Sequence, residues 1–159
     1  MSQSAPSVRR INGAKFRIGV VAARFNEALV DGLLVQLTAG LRQAGVKTGR
    51  IKLIRVPGSH EVPWAVGQLA ASSRHDCVVA LGVLIGGDTN HHEMVGQSVS
   101  HALQRVALKT GIPVINGVIV ADTVAQARAR CTGRINRGAE FAQAALAMAE
   151  LKVSLKGKS

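Results

Sequence analysis

The sequence has no tyrosine, and its only aromatic side chains are three phenylalanines and one tryptophan. So few rings cannot supply the stacking platforms by which single-stranded nucleic acids are bound. Cysteine is nearly absent. Cys77 and Cys131 form no C-x-x-C pair, which excludes a disulfide framework and zinc-finger spacing. The longest apolar run, Cys77 to Ile85, falls far short of the ~20 residues that a membrane helix needs. The Arg9-Arg10 pair leads into Lys15 and Arg17 rather than an apolar stretch. No export signal is therefore expected, and a cytoplasmic protein is the reading.

Acidic residues are scarce as well, nine Asp and Glu against twenty Lys and Arg, for a formal net charge of +11. None precedes Glu27, and the C-terminal tail carries Lys152, Lys156 and Lys158. Such an excess invites a nucleic-acid partner. No aromatic recognition surface, zinc-finger spacing or basic helix stripe accompanies it, so nucleic acid is not expected as the primary ligand. A solvated basic surface with basic ends, or a surface facing a phosphate-bearing ligand, also accounts for the charge.

What the chain does have is small and branched aliphatic residues. It is 47% hydrophobic with a mean hydropathy of +0.21, which excludes a disordered chain. Its 159 residues suit one domain, expected over 15–153, with a flexible basic segment at 1–14 and a flexible tail at 154–159. Four strand–helix units follow one another. Strands are expected at Phe16 to Ala23, Ile51 to Val56, Cys77 to Ile85 and Pro113 to Val120. Leu29, Leu33, Leu37 and Leu41 recur every fourth residue as one helical stripe, and Gly45 is its stop. Val95, Val99, Leu103 and Val106 mark a second stripe, with Asn90 and Glu93 at capping-box spacing before it. Thr123 and Gln126 repeat that spacing, and an Ala-rich helix from about Gly138 to Leu151 closes the chain. Such alternation predicts an α/β fold of flavodoxin-like, three-layer type: a four-stranded parallel sheet with helices on both faces.

Ligands of open parallel sheets bind beyond the carboxyl ends of the strands. Those ends gather the unusual residues: Arg24 to Glu27, Val56 to Glu61, Val83 to His92 and Val120 to Thr123. No G-x-G-x-x-G, Walker-type loop or G-x-S-x-G elbow occurs among them. His91 and His92 are adjacent on a helix, about 100° apart, so they do not chelate one metal from one face. Gly86-Gly87-Asp88-Thr89-Asn90-His91 is a more informative segment. Two glycines let backbone approach a ligand, and the following helix start offers free N–H groups to an anion. An ordinary glycine turn followed by a surface histidine is the plainer alternative. Arg128, Arg130, Arg134 and Arg137 are either surface charges or include a phosphate clamp. Glu61 either caps a helix or binds a ligand. Phe25, in a loop position that is usually polar, is either core or a stacking surface for a flat heterocycle.

Taken together, Arg24-Phe25-Asn26, Val56 to Pro63, Ala80 to Ile85, Gly87 to His91, Gly111 to Val114, Gln126-Ala127 with Arg130, and Arg137-Gly138 resemble the 6,7-dimethyl-8-ribityllumazine synthase family. The resemblance implies condensation of 5-amino-6-(D-ribitylamino)uracil with L-3,4-dihydroxy-2-butanone 4-phosphate, a transferase reaction of riboflavin biosynthesis. It implies no cofactor and no metal. By resemblance Phe25 stacks on the pyrimidine, and Ser59, His60 and Glu61 hold the ribityl chain. Val83, Leu84 and Ile85 present backbone to the pyrimidine edge, Asp88 and Thr89 line the phosphate site, and Arg130 clamps the phosphate. His91 shuttles protons. Arg137 keeps a positive charge where the family usually has Lys, and Gly86 stands where many members carry a basic residue. A neighbouring subunit supplies Arg130 and Asn116, so a homo-oligomer is implied, a pentamer or a 60-subunit shell of pentamers. Riboflavin synthase is implied as a functional associate. A non-catalytic flavin- or phosphate-binding module and a nucleic-acid packaging shell are the other two readings of the same sequence.

Overall fold

Six consecutive residues buried on both sides, Ile18–Ala23, make β1, and the computed structural model, which describes residues 7–157, builds the remaining layers around it. The order continues α1 (Glu27–Gln43), β2 (Ile51–Val56), α2 (Val62–Ala71), β3 (Cys77–Ile85), α3 (His91–Thr110), β4 (Val114–Ala121), α4 (Val124–Cys131) and α5 (Arg137–Lys156). All strand pairs are parallel, in the order β2-β1-β3-β4. The expected doubly wound sheet is therefore present, with β1 and β3 at its centre.

Side chains of alternate strand residues enter two separate cores, as the period of two demands. Ile18, Val20 and Ala22 pack with α1, α4 and α5 around Leu33, Leu37, Leu41 and Leu146. Val21 and Ala23 pack with α2 and α3 around Val62, Val66, Val99 and Leu103. The predicted stripes are the ones buried, Leu33, Leu37 and Leu41 on α1 and Val95, Val99 and Leu103 on α3. Gly138 lets α5 lie directly on α1. A Cβ there would stand 2.5 Å from the Leu33 carbonyl oxygen and from Gln36 Cβ.

Several expectations need correction. The Asn90–Glu93 capping box does not form, because the Asn90 side chain makes no cap hydrogen bond. The Thr123 box forms in a variant: its hydroxyl accepts from the Gln126 N–H, while Gln126 Oε1 accepts from Asp122 N–H rather than from Thr123. At the C-terminal end α5 runs on through Lys156, into the segment expected as tail. At the N-terminal end Ile11 belongs to the α1/α5 core, and the Gly13 N–H donates to the Ala44 carbonyl at 2.7 Å. The segment before residue 15 is thus anchored by one apolar side chain that no periodicity announces. Expectations for 1–6 and 158–159 lie outside the described residues.

Candidate active site at the carboxyl edge

β3 is longer than β1 at its carboxyl end. The β1–β3 pairing stops at Ala22↔Leu81, whereas β3–β4 pairing continues to Ile85↔Ala121. Residues 83–85 therefore keep a partner strand on one side only. Successive residues of a strand point their backbone groups to alternate edges. Val78 and Gly86 donate to Pro113 and Ala121 on the β4 side, so Val83 and Ile85 face the vacated side. The Leu84 backbone points to β4, and its side chain packs on the α2/α3 core. All three residues line the cleft, with the Val83 and Ile85 backbone toward the vacated side and the Leu84 backbone toward β4.

Above that vacated edge lies a cleft of about 460 Å³. Its first wall is the β1–α1 turn. Arg24 and Phe25 N–H groups donate to the Val56 and Pro57 carbonyls, at 2.9 and 3.0 Å, tying the exits of β1 and β2 together. The Phe25 ring is 72% exposed, which settles it as surface rather than core, and a Cβ on Gly58 would stand 3.2 Å from it. Asn26 adopts the left-handed conformation (φ 57°, ψ 41°), which asparagine tolerates better than most residues. In that pose its Nδ2 donates to the Val83 carbonyl at 2.8 Å. Asn26 lines the cleft; the sequence places it in the Arg24-Phe25-Asn26 motif without giving it a role.

The second wall is the turn Ser59–Glu61. The Glu61 carboxylate accepts the Gly58 N–H through Oε2 at 2.9 Å, so its capping role is real, and the residue lines the cleft as well. Ser59 is buried, and its hydroxyl has no hydrogen-bond partner among the described residues. Gly82 makes room for it, since a Cβ there would overlap the Ser59 hydroxyl. His60 is exposed at the rim.

The third wall is the start of α3. Gly87, Thr89 and His91 line the cleft; a Cβ on Gly87 would meet nothing within 4 Å, leaving its backbone open. Gly86 is different. A Cβ there would meet the Asp122 carbonyl oxygen at 2.7 Å and His92 Nε2 at 3.2 Å, so this glycine accommodates the protein itself rather than a ligand. Asp88 is exposed and lies outside the lining. His92, expected to point away, also lines the cleft. Its imidazole is wedged toward the β4–α4 turn, Nε2 3.7 Å from Asp122 Oδ1. His92, Glu93 and Asp122 place one ligand atom each within 4.8 Å of one another, a grouping the sequence did not suggest.

Three expected residues stand apart from this cleft. Arg130 Nη1 donates to the Gln126 carbonyl on its own helix at 3.0 Å. Asn116 lies opposite Ala80, about 10 Å down the sheet from Val83 at 3.3 Å per residue, and its Oδ1 accepts from Val118 N–H. Arg137 pairs with Glu140 in the first turn of α5. Neither cysteine is a nucleophile here. Burial raises the Cys77 thiol to about 12 and the Cys131 thiol to about 11, which removes the reactive thiolate near neutral pH.

Comparison with known proteins identifies the family. The family model for 6,7-dimethyl-8-ribityllumazine synthase matches residues 15–153. A protein of that name from Halorhodospira halophila is 42% identical over 141 residues, covering 88% of this chain and 90% of the relative. One from a Polaromonas species is 38% identical over 145 residues, covering 91% and 92%. One from the archaeon Thermococcus gammatolerans is 40% identical over 139 residues, covering 87% and 89%. With the strand ends, the exposed Phe25 ring and the histidine-bearing helix start in the matched span, the chain belongs to the 6,7-dimethyl-8-ribityllumazine synthase family.

Proposed function

We propose that the cleft condenses 5-amino-6-(D-ribitylamino)uracil with L-3,4-dihydroxy-2-butanone 4-phosphate, yielding 6,7-dimethyl-8-ribityllumazine, inorganic phosphate and water. The observation that carries this reading is the unpaired edge of β3 lying beside an exposed aromatic face. A planar heterocycle with hydrogen-bonding edges fits such a slot: Phe25 covers its plane, and the Val83 and Ile85 backbone reads its rim. Ser59, His60 and Glu61 hold the polyhydroxylated chain. The unengaged Ser59 hydroxyl and the Oε1 of Glu61 are suited to sugar hydroxyls. Gly87, Thr89 and the start of α3 receive the phosphate.

Holding the amine and the ketone together lowers the barrier by removing the entropy of their encounter. His91 acts at the proton-transfer steps. It takes a proton as the pyrimidine amine adds to the carbonyl, returns one as water leaves, and serves again as phosphate departs and the ring closes. The cation on the phosphate is Arg130 of a neighbouring copy, with Asn116 beside it. Each of these residues sits away from the cleft of its own chain, which is what a site completed by assembly requires. A cyclic pentamer, alone or as part of a 60-subunit shell, provides that arrangement. A cytoplasmic enzyme that hands its product to riboflavin synthase completes the reading.

Mixing separates a shared site from a self-contained one. His91→Ala and Arg130→Ala chains, refolded together in equal amounts, form the intact pairing at about one interface in four. Lumazine formation, followed by its near-ultraviolet absorbance, should recover to about a quarter of wild type. Mixed rings with no gain over either parent would refute the shared site, and wild-type protein that forms no lumazine would refute the reaction.

A further inference from the structure

The charges of this chain are sorted along the strand direction. Glu27, Glu61, Asp88 and Asp122 lie one to five residues beyond strand carboxyl ends, and Glu93 lies in the first turn of α3; the cation at that end directly after β1, Arg24, is paired with Glu27 at 3.7 Å. The opposite end is basic. Lys15 and Arg17 precede β1, Lys47 precedes β2, Arg74 precedes β3 and Lys109 precedes β4, and all five are exposed. Asp76 shares that end, but its carboxylate is already engaged by the Arg17 N–H at 2.8 Å and by Lys152 Nζ at 3.2 Å. Glu150 is likewise paired, with Arg9 at 3.2 Å. Nothing in the proposed reaction uses this end, which faces away from the phosphorylated substrate.

We propose that the amino-terminal end of the sheet is a docking surface for the phosphate backbone of a nucleic-acid duplex, bound without sequence preference. The cations come from the approaches to four adjacent parallel strands, about 4.8 Å apart, so they span roughly 14 Å. That spacing is comparable to the ~12 Å between the phosphate walls of a major groove. No aromatic ring is available at this end for base stacking: Phe16 is buried, and Phe25 and Trp64 follow β1 and β2 at the other end. The contacts are therefore to phosphates, which favours duplex over single strand. Three loops and the last turn of α3 supply the charge rather than one face of an amphipathic helix, which distinguishes the surface from a membrane-binding helix. The strong positive balance thereby acquires a location and a ligand.

The test measures binding of the full-length protein to a short labelled DNA duplex and to the RNA duplex of the same sequence across about 50–200 mM salt. Five phosphate contacts predict a log–log slope near −4.5 on DNA, about 0.9 per contact. The double variant Lys47→Glu, Arg74→Glu should flatten the slope by about two and weaken low-salt binding at least tenfold, with lumazine formation unchanged. Scrambled duplex sequences should bind equally. A variant with the parent's slope overturns the proposal, as does failure of the parent to bind either duplex at low salt. Binding to vesicles rich in phosphatidylserine but to neither duplex would also overturn it, assigning the surface to a membrane instead.

Discussion

The two ends of the sheet are finished in opposite ways. At the amino end the polar groups close on one another. Asp76 joins the Arg17 backbone to the Lys152 side chain, Lys152 also donates to the His75 carbonyl, and Arg50 donates to the Lys15 carbonyl at 3.0 Å. At the carboxyl end groups are left over. β3 overhangs β1, the Ser59 hydroxyl is buried with no partner among the described residues, and Asn26 holds a left-handed backbone. The amino end pairs its carboxylates internally and leaves exposed only cations, Lys15, Arg17, Lys47, Arg74 and Lys109. The carboxyl end leaves the groups that the proposed ligand would engage, as functional sites do, although a left-handed backbone is not peculiar to it, since Ser73 before β3 has φ 54°.

Substitutions should therefore separate into two kinds of damage. The largest effect is expected from Asp76→Ala, which removes the acceptor of the Arg17 N–H and the anionic partner of the partly buried Lys152 ammonium, leaving that ammonium the His75 carbonyl. A loss of about 2–4 kcal/mol in unfolding free energy should result, read as a lowered denaturation midpoint with kcat of the folded protein unaltered. At the other end His91→Ala should lower kcat by roughly 10²-fold and leave the denaturation midpoint where it was. If both variants changed both quantities alike, the contrast between the ends would be wrong. Arg130→Ala should raise KM for the phosphorylated butanone by an amount equivalent to about 1.5–3 kcal/mol, with the pyrimidine little affected. Arg130→Lys should restore only part, because an ammonium lacks the guanidinium fork. Steady-state kinetics with each substrate varied in turn decides this.

The smallest effect concerns pH. Desolvation by burial, the main influence on His75, lowers its pKa from 6.5 despite the Leu69 carbonyl bonded to its ring. The unfolded chain then takes up the proton first. Stability is fully present above pH 6.5 and is lost as the pH falls below it. In urea titrations from roughly pH 7 to 5, His75→Gln should show a shallower decline than the parent. An equal decline would mean that His75 is not among the groups that make the amino end acid-sensitive.

Much of this was legible in the sequence because it was periodic. The leucine stripe of α1, the valines of α3 and the unbroken apolar run of β3 each repeat a signal over several turns or residues, and each element appears within a residue or two of its expected span. Single-residue events were not legible. Ile11 anchors the N-terminal segment by its side chain alone, and nothing around it repeats. The Asn90 spacing was right for a capping box, but its side chain does not cap the helix. His92 was judged from helical angle, which cannot see that the β4–α4 turn stands beside it. The cleft residues were named correctly wherever they sat at strand ends, since topology alone brings those together. Leu84 lines the cleft as well, but its backbone faces β4, because which edge a backbone group faces depends on register and not on residue type.

The overhang of β3 also bears on how the site tolerates change. A rim read by main-chain groups is identical for any residue except proline, since every other residue carries the same donor and acceptor. Substituting Val83 or Ile85 with another aliphatic of similar volume leaves the recognition pattern intact and disturbs only packing. In the proposed binding mode, selectivity for the ring is in effect written in an alphabet that mutation cannot edit. Drift is therefore free to act on these side chains, while Phe25 and His91, which contribute by side chain alone, have no such latitude.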